Sequence, residues 1–409
     1  MRKEISTLTV RTSISGSLFF VLLLILAACG SSQGNNSNIS TATSTIATTI
    51  THATTVALTS DSTTPAPAVK LGTQPCPNAV SAPTYWDPII GTQPNINKVE
   101  SVTCSNLIGN ATLQALINVR TNGTGGFLDV YVYDKITDTH PLQLFKLQGL
   151  EHGTAKVSGY NTIITGEVDA QSSVNKNAPS NAGLVMDLYR EFKWSAGAGK
   201  FEPTAFPGIF PDLTRYQAEA DQQQVAQGHQ PWKLSATMTA NALAVNMLKW
   251  PANSPTTVVS GGGQNDLNAV VSVKNPNPGF GSIQVSLTRL EGNSNGGIWI
   301  VTAAASNGMS ITTPASRDTL TSPVTVAGTG NAFEGVIGNI VILDHTQSDI
   351  GHATATGAVG NGNTQFSTSV TYTSSFKGGA QEGIVALYAN SNAGDGIAGA
   401  VLMKVLLGA

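Results

Sequence analysis

The chain has 409 residues, which is more than a single hydrophobic core usually organises, so its length predicts two or three domains. Charged residues make up only 11% of it, less than half of the roughly 25% typical of soluble proteins. The net charge is −3, and the Lys and Arg residues are scattered, so there is no basic region to attract nucleic acid and no nucleic-acid partner is expected.

The N-terminus predicts export to the cell envelope. A basic start, Met1–Lys3, precedes an apolar run, Leu18–Ala28. The run suits a signal peptide and is too short for a membrane-spanning helix, which needs about 20 residues. The letters LAAC that end at Cys29 resemble the bacterial lipobox, and this resemblance implies that Cys29 is lipidated and becomes the mature N-terminus. An ordinary cleaved signal peptide followed by a chance cysteine is the alternative.

The other two cysteines, Cys76 and Cys104, would lie in an oxidising compartment, where a disulfide between them is predicted. Two free thiols forming half of a metal site are the alternative, but the chain has no further cysteine to complete it. Between Cys29 and this region, residues 30–69 contain no aromatic residue and almost no charge. Such a segment cannot bury enough apolar surface to fold, so we expect a flexible tether.

The region after the tether has the pattern of β-strands. The stretch FLDVYVYD, Phe127–Asp134, alternates between apolar and other side chains in the way of a half-buried strand. Further on, Gly197 and Gly199 predict a hairpin turn between Trp194 and Phe201.

Two helices are predicted next. Asp212 is a plausible N-cap for the first, which Gly228 would end, and the second would start at Ser235 and stop before Pro251. Strand-like segments follow as far as residue 307, so helices and an antiparallel sheet are expected to form an α+β unit.

The last hundred residues carry no helix signal. Short apolar runs alternate with turn residues at the spacing of a β-sandwich of immunoglobulin size. The final apolar run, IAGAVLMKVLL, includes Lys404 and is too short to span a bilayer, so it is expected to be the closing strand.

The stretch SPVTVAGTGNAFEG, Ser322–Gly335, resembles the signature of the immunoglobulin-like domain found in bacterial spore germination proteins. Later positions that match are Phe366, Val370, Tyr372, Tyr388, Ser391 and Asp395-Gly396. The chain departs from the family pattern at Arg317-Asp318, where a glycine turn is usual, and at Gly338-Asn339, where the shifted alternation predicts a β-bulge. The resemblance implies an extracytoplasmic, non-catalytic accessory domain and transfers no catalytic residue.

The predicted fold class is multidomain and mainly β, with an α+β middle domain and a C-terminal immunoglobulin-like β-sandwich. The predicted divisions are a lipoprotein signal peptide over 1–28, a disordered Ser/Thr-rich tether over 29–72, a β-rich domain over 73–211, the α+β domain over 212–309 and the sandwich over 310–409.

Few residues are candidates for catalysis or metal binding. A metal site is conceivable at the four residues Asp344, His345, Asp349 and His352, but a polar hairpin tip is the favoured interpretation. The loop 390–396 suggests calcium binding, yet it lacks the alternating acidic ligands.

The other candidate residues for catalysis or binding are predicted to lie in turns, on the surface or in the core. The possible acid/base pairs are Asp138 with His140 and Glu151 with His152. Carboxylates at glycosidase-like positions are Glu191, Glu202, Glu219 and Asp221. Glu334, inside the signature, is expected to face water or bond to nearby backbone, and Trp86 is the tryptophan expected to be exposed.

The function predicted from these observations is non-enzymatic. The chain is expected to be a lipoprotein anchored through Cys29 to the outer face of the cell membrane, where it binds or scaffolds an envelope protein or glycan, with a possible link to sporulation or germination. No catalytic, cofactor-binding or metal residue is assigned. The alternatives are an envelope hydrolase or metal-dependent enzyme with its site in residues 75–307, and a solute-binding sensor.

Overall fold

The computed structural model describes residues 69–292, 296–358, 362–391 and 396–408. The predicted signal peptide, the lipidation site Cys29 and all of the predicted tether before residue 69 lie outside the described residues, as does most of the calcium-like loop. Within the described ranges, no helix is long and apolar enough to cross a membrane.

The first sheet is an antiparallel meander of five strands. Its elements are β1 Thr73–Gln74, α1 Pro83–Ile90, β2 Asn97–Ser105, β3 Gln114–Thr121, β4 Leu128–Asp134 and β5 Leu142–Leu150. Helix α1 packs Trp86 against one face, 5.2 Å from the ring of Tyr133, so this tryptophan is fully buried and the prediction that it is exposed was wrong. The predicted disulfide is present, and it joins Cys76, ahead of α1, to Cys104 on β2.

A second meander of four strands covers the other face of the first sheet. Its strands are β6 Thr154–Val157, β7 Ile163–Glu167, β8 Leu188–Ser195 and β9 Lys200–Pro203. Leu128 and Leu150 of the first sheet share a core with Ile163 and Phe192 of the second. The predicted hairpin is confirmed, because Trp194 pairs with Phe201 across the turn that joins β8 to β9.

Two helices follow, α2 Arg215–Ala226 and α3 Ala236–Leu248. The prediction of Asp212 as the first N-cap was wrong. Thr214 occupies that position and its hydroxyl accepts a hydrogen bond from the amide of Gln217, whereas Asp212 is buried. Ser235 caps α3 as predicted, accepting from the amide of Met238 at 3.4 Å.

The largest sheet runs through both the middle and the C-terminal parts of the chain. In spatial order its main strands are β10 Thr256–Gly261, β11 Asn268–Lys274, β12 Ser282–Thr288, β13 Ile300–Ser306, β21 Ile397–Leu407, β20 Gln381–Asn390, β17 Val336–Leu343 and β18 Asp349–Thr356. A short strand, β15 Thr319–Leu320, runs parallel to β21. Because β21 pairs with both β13 and β20, it joins the two halves of the sheet, and the run that contains Lys404 is a strand as predicted.

A three-stranded sheet completes the C-terminal sandwich. Its strands are β14 Ser310–Thr313, β16 Val324–Asn331 and β19 Asn363–Val370, with β16 in the centre. Val326 and Phe366 of this sheet pack with Ile340, Val385 and Val405 of the large one. The other face of the large sheet packs against α3.

The mainly β fold class with a C-terminal sandwich is confirmed. The domain boundaries remain predictions, and the one at 309/310 falls inside a continuous sheet, since strands before and after it share the nine-stranded sheet. The described residues belong to one compact unit.

Candidate functional site

A groove crosses the end of the sandwich where the two halves of the large sheet meet. It consists of two adjoining cavities of about 660 and 360 Å³. Asn331, Ile337 and Ala389 line both cavities, which makes the groove continuous. Ligand sites usually measure roughly 300–1,000 Å³, so the groove is large enough to hold one.

The hairpin between β16 and β17 forms one edge of the wider cavity. Glu334 and Gly335 make its turn with φ angles of 50° and 85°, and Phe333 and Val336 exchange backbone hydrogen bonds of 2.8 and 2.9 Å. Positive φ at both central residues is typical of a type I′ turn. The turn leaves Phe333 56% exposed at the groove, while Glu334 points into solvent rather than into a buried site.

Glycines allow the strands below the groove to approach one another. A Cβ atom on Gly338 would lie 2.2 Å from the carbonyl oxygen of Tyr388, and one on Gly330 would lie 2.3 Å from Ile337. The pairing of β17 with β18 shifts between Val336 and Gly338, which confirms the predicted bulge.

Asparagine side chains gather around the groove. Asn331 and Asn390 line the wider cavity, and Asn307 lines the narrower one. Asn363 pairs with Asn331 across β16 and β19, and both amides lie beside Gly308. All four residues are exposed. Each therefore presents its amide donors and acceptor to solvent.

The groove carries no charge on its described lining. The lining residues are asparagine, serine, glycine, alanine, valine, isoleucine, methionine and phenylalanine. Uncharged amides beside apolar surface suit a neutral ligand better than an ionic one.

The carboxylates at glycosidase-like positions do not share one open site. Glu191 is buried and accepts from Arg215 at 2.8 Å, and Asp221 is in contact with Lys233. Glu202 lies 3.4 Å from Lys200 on an open hairpin, and Glu219 lies 3.6 Å from Lys156. Each carboxylate thus has a cationic partner within the chain.

Arg215 is the centre of a buried acidic cluster that the sequence did not reveal. Its guanidinium bonds to both Glu191 and Glu291, and the Glu291 contact measures 2.5 Å. Burial raises the pKa of Glu291 to about 8. Arg215 opposes this rise, and the nearby carboxylates of Glu219 and Glu191 add to it. Glu219 and Glu291 also line a separate cleft of about 540 Å³, but their oxygens already accept internal hydrogen bonds.

Comparisons with known proteins identify the C-terminal quarter. Residues 309–396 match the immunoglobulin-like domain of bacterial spore germination. The predicted resemblance is thus confirmed for that part of the chain. The match ends short of β21, the strand that joins the domain to the rest of the sheet.

The other comparisons add no function. No curated protein matches significantly. A crystal structure of a protein of unknown function from Dyadobacter fermentans DSM 18053 is 11% identical over 71% of this chain and 91% of its own length, with a TM-score of 0.18. That TM-score is too low to support any structural argument.

The immunoglobulin-like domain contacts the preceding region through a buried histidine. The Nε2 atom of His345 lies 3.6 Å from a carboxylate oxygen of Asp187, and its Nδ1 atom contacts the amide oxygen of Gln381. Burial opposes protonation, but the polar contacts with Asp187 and Gln381 and the nearby Asp344 outweigh it and raise the pKa of His345. The histidine therefore links the two regions and is not free to act at an open site.

The four residues of the conceivable metal site do not converge. Asp344 and His345 are buried, whereas Asp349 and His352 are exposed and lie 3.4 Å from each other. Among the described residues, no cluster of three or more potential metal ligands occurs. Neither acid/base pair forms an ion pair within the part of the chain that the structure describes. His140 is hydrogen-bonded to the neighbouring Thr139, and the buried Nε2 atom of His152 has no hydrogen-bond partner.

Sequence reasoning missed the asparagines of the groove. Asn307, Asn331 and Asn390 each stand at or just beyond the end of a strand, where asparagine is also common simply because it favours turns. Their convergence depends on strands that are distant in sequence, so no local signal distinguishes them from ordinary turn residues.

Proposed function

We propose that this protein is a non-enzymatic binding or scaffolding protein of the cell envelope, in the setting of sporulation or germination. The observation that carries the proposal is the match of residues 309–396 to the immunoglobulin-like domain of bacterial spore germination. The neutral groove at the end of that domain is its binding site in this proposal.

Two features support a binding role over a catalytic one. The groove contains no acidic, basic or histidine side chain on its described lining that would move a proton. The buried carboxylates elsewhere, such as Glu191 and Glu382, are held by Arg215 and Lys404.

We propose that the protein lies on the outer face of the cell membrane, anchored by a lipid on Cys29, with an envelope protein or glycan as its partner. The support for the anchor is the sequence LAAC after the apolar run Leu18–Ala28. The predicted tether then separates the folded part from the membrane.

Membrane retention tests the anchor. Cys29→Ala should move the protein from the membrane fraction to the soluble fraction, because a single apolar segment of signal-peptide length gives no stable anchor. Cys76→Ala in the same host is the matched control, and it should leave the protein in the membrane fraction. Retention of the Cys29 variant in membranes would contradict the proposed anchor.

Co-purification tests the binding role. The protein isolated from its native envelope after mild crosslinking should bring down envelope material, and mutation of the groove at Phe333 should reduce that material. Turnover of an envelope polymer by the purified protein, lost on substitution of one buried carboxylate, would instead favour an enzyme.

A further inference from the structure

We propose that the groove at the end of the sandwich binds a neutral glycan that contains N-acetylhexosamine units. This inference rests on the proposed envelope-binding function and names its ligand class. It follows from the amides, the exposed aromatic ring, the apolar lining and the strand pairing around the groove.

The amides match the hydrogen-bonding needs of a sugar. A pyranose hydroxyl both donates and accepts, and each asparagine amide offers two donor hydrogens and one acceptor oxygen. Asn331 and Asn390 face the wider cavity, and Asn307 faces the narrower one. None of these three side chains is hydrogen-bonded to another residue in the described part of the chain, so binding a sugar breaks no internal bond.

The hydrophobic surface fits the less polar parts of the same ligand. Phe333, held on a two-residue turn, offers an aromatic surface to the C–H face of a sugar ring. Ala332, Val336 and Ile337 lie beside Asn331 on the same lining. This pairing of an amide with apolar surface suits the acetamido group, which presents an N–H, a carbonyl and a methyl group together.

The absence of charge on the described lining selects against the other envelope polymers. An anionic polymer such as a polyphosphate would require cations, and a basic peptide would require carboxylates. A neutral glycan requires neither.

The strand pairing argues against an extended peptide as the ligand. Peptides often bind by adding a strand to an open sheet edge. Along most of their length the strands around the groove have neighbours on both sides: β16 lies between β14 and β19, β17 between β18 and β20, and β21 between β13 and β20. At the groove itself, residues 336–338 of β17 pair only with β18, and residues 397–400 of β21 pair only with β20. A peptide in the groove would find only these two short stretches of three and four residues to pair with, whereas a glycan needs no strand edge.

Calorimetric titration of the full-length protein in detergent tests the ligand class. We expect tetra-N-acetylchitotetraose to bind and cellotetraose, which lacks the acetamido groups, to bind at least tenfold more weakly. Equal affinity for the two, binding of neither, or tighter binding of a polyphosphate would overturn the proposal.

Substitutions test the location. Phe333→Ala and Asn331→Ala should each weaken chitotetraose binding at least tenfold. The matched controls Phe127→Ala and Asn253→Ala alter exposed residues of the same types away from the groove and should leave it unchanged. Undiminished binding by both groove variants would show that the glycan binds elsewhere. If no glycan binds but envelope proteins still co-purify with the anchored chain, the glycan inference fails and the envelope-binding function stands.

Discussion

Lys404 has its ammonium group completely buried in a strand that is otherwise apolar. It lies 3.2 Å from a carboxylate oxygen of Glu382 and donates to the carbonyl oxygen of Leu213 at 2.6 Å. The other oxygen of Glu382 accepts from the amide of Phe206 at 2.9 Å. The pair thus joins β20 and β21 to the chain segment ahead of α2. It contributes to stability only when both partners are present.

Removing one partner of this pair should be far more damaging than removing both. Lys404→Met leaves the Glu382 carboxylate buried without its cation and should lower the free energy of unfolding by about 3–5 kcal/mol. Because burial already raises the pKa of Glu382, the double variant Lys404→Met with Glu382→Gln should recover most of the loss. Urea unfolding measures both, and equal losses in the single and double variants would contradict this account.

Glu291 should make stability depend on pH. Its pKa rises from 4.5 to about 8 on folding, so between these values the folded protein holds a proton that the unfolded chain releases. Stability must therefore fall as pH rises through that window. The urea midpoint should decrease from about pH 5 to pH 9, and Glu291→Gln should flatten this decrease. Glu202→Gln, on an open hairpin, is the control and should keep the wild-type slope.

At the scale of single elements, β17 depends on a glycine where it passes β20. A Cβ atom on Gly338 would lie 2.2 Å from the backbone oxygen of Tyr388, a clash that only backbone movement relieves. Gly338→Ala should therefore destabilise the protein by about 1–3 kcal/mol, in the range of overpacked sites. Gly197→Ala, where a Cβ meets no atom within 4 Å, should change the thermal midpoint little. Similar midpoints for the two variants would contradict the close approach.

Several elements were predictable because their signals are local. Alternation identified β4, paired glycines identified the β8–β9 turn, and the signature Ser322–Gly335 identified the sandwich. The N-cap of α2 was misplaced by two residues, since Asp212 and Thr214 are both good caps and only the burial of Asp212 against Lys233 separates them. Trp86 was misplaced because its burial depends on the packing of α1 against β-strands that follow it.

The groove and the buried ion pairs were not predictable in the same way. Arg215 and Glu291 are 76 positions apart, and Lys404 is 191 positions from Leu213. Their proximity follows from the arrangement of the sheets, and no spacing rule in the sequence records it. The low content of charged residues, 11%, also gives no sign of how many of them are buried.

At the scale of the whole molecule, the immunoglobulin-like domain shares its sheet with the region before it. Leu402 and Val401 of β21 pair with Ala304 and Ala305 of β13, and the indole of Trp250 donates to the carbonyl of Ile397 at 2.6 Å. Leu402 and Ile384 also pack into the core beneath α3. A domain that shares a sheet and a core with its neighbour should not unfold on its own.

This sharing predicts one cooperative unfolding transition for the middle and C-terminal regions. All five tryptophans precede residue 310, so their fluorescence reports on the earlier regions. Hydrogen exchange of amides in β20 reports on the immunoglobulin-like domain. The two should give the same urea midpoint because the strands on either side of β21 lose their partner together. If the β20 amides opened at a clearly lower urea concentration than the tryptophans, the domain would be an independent unit, and the continuous sheet would not couple it to the rest of the chain.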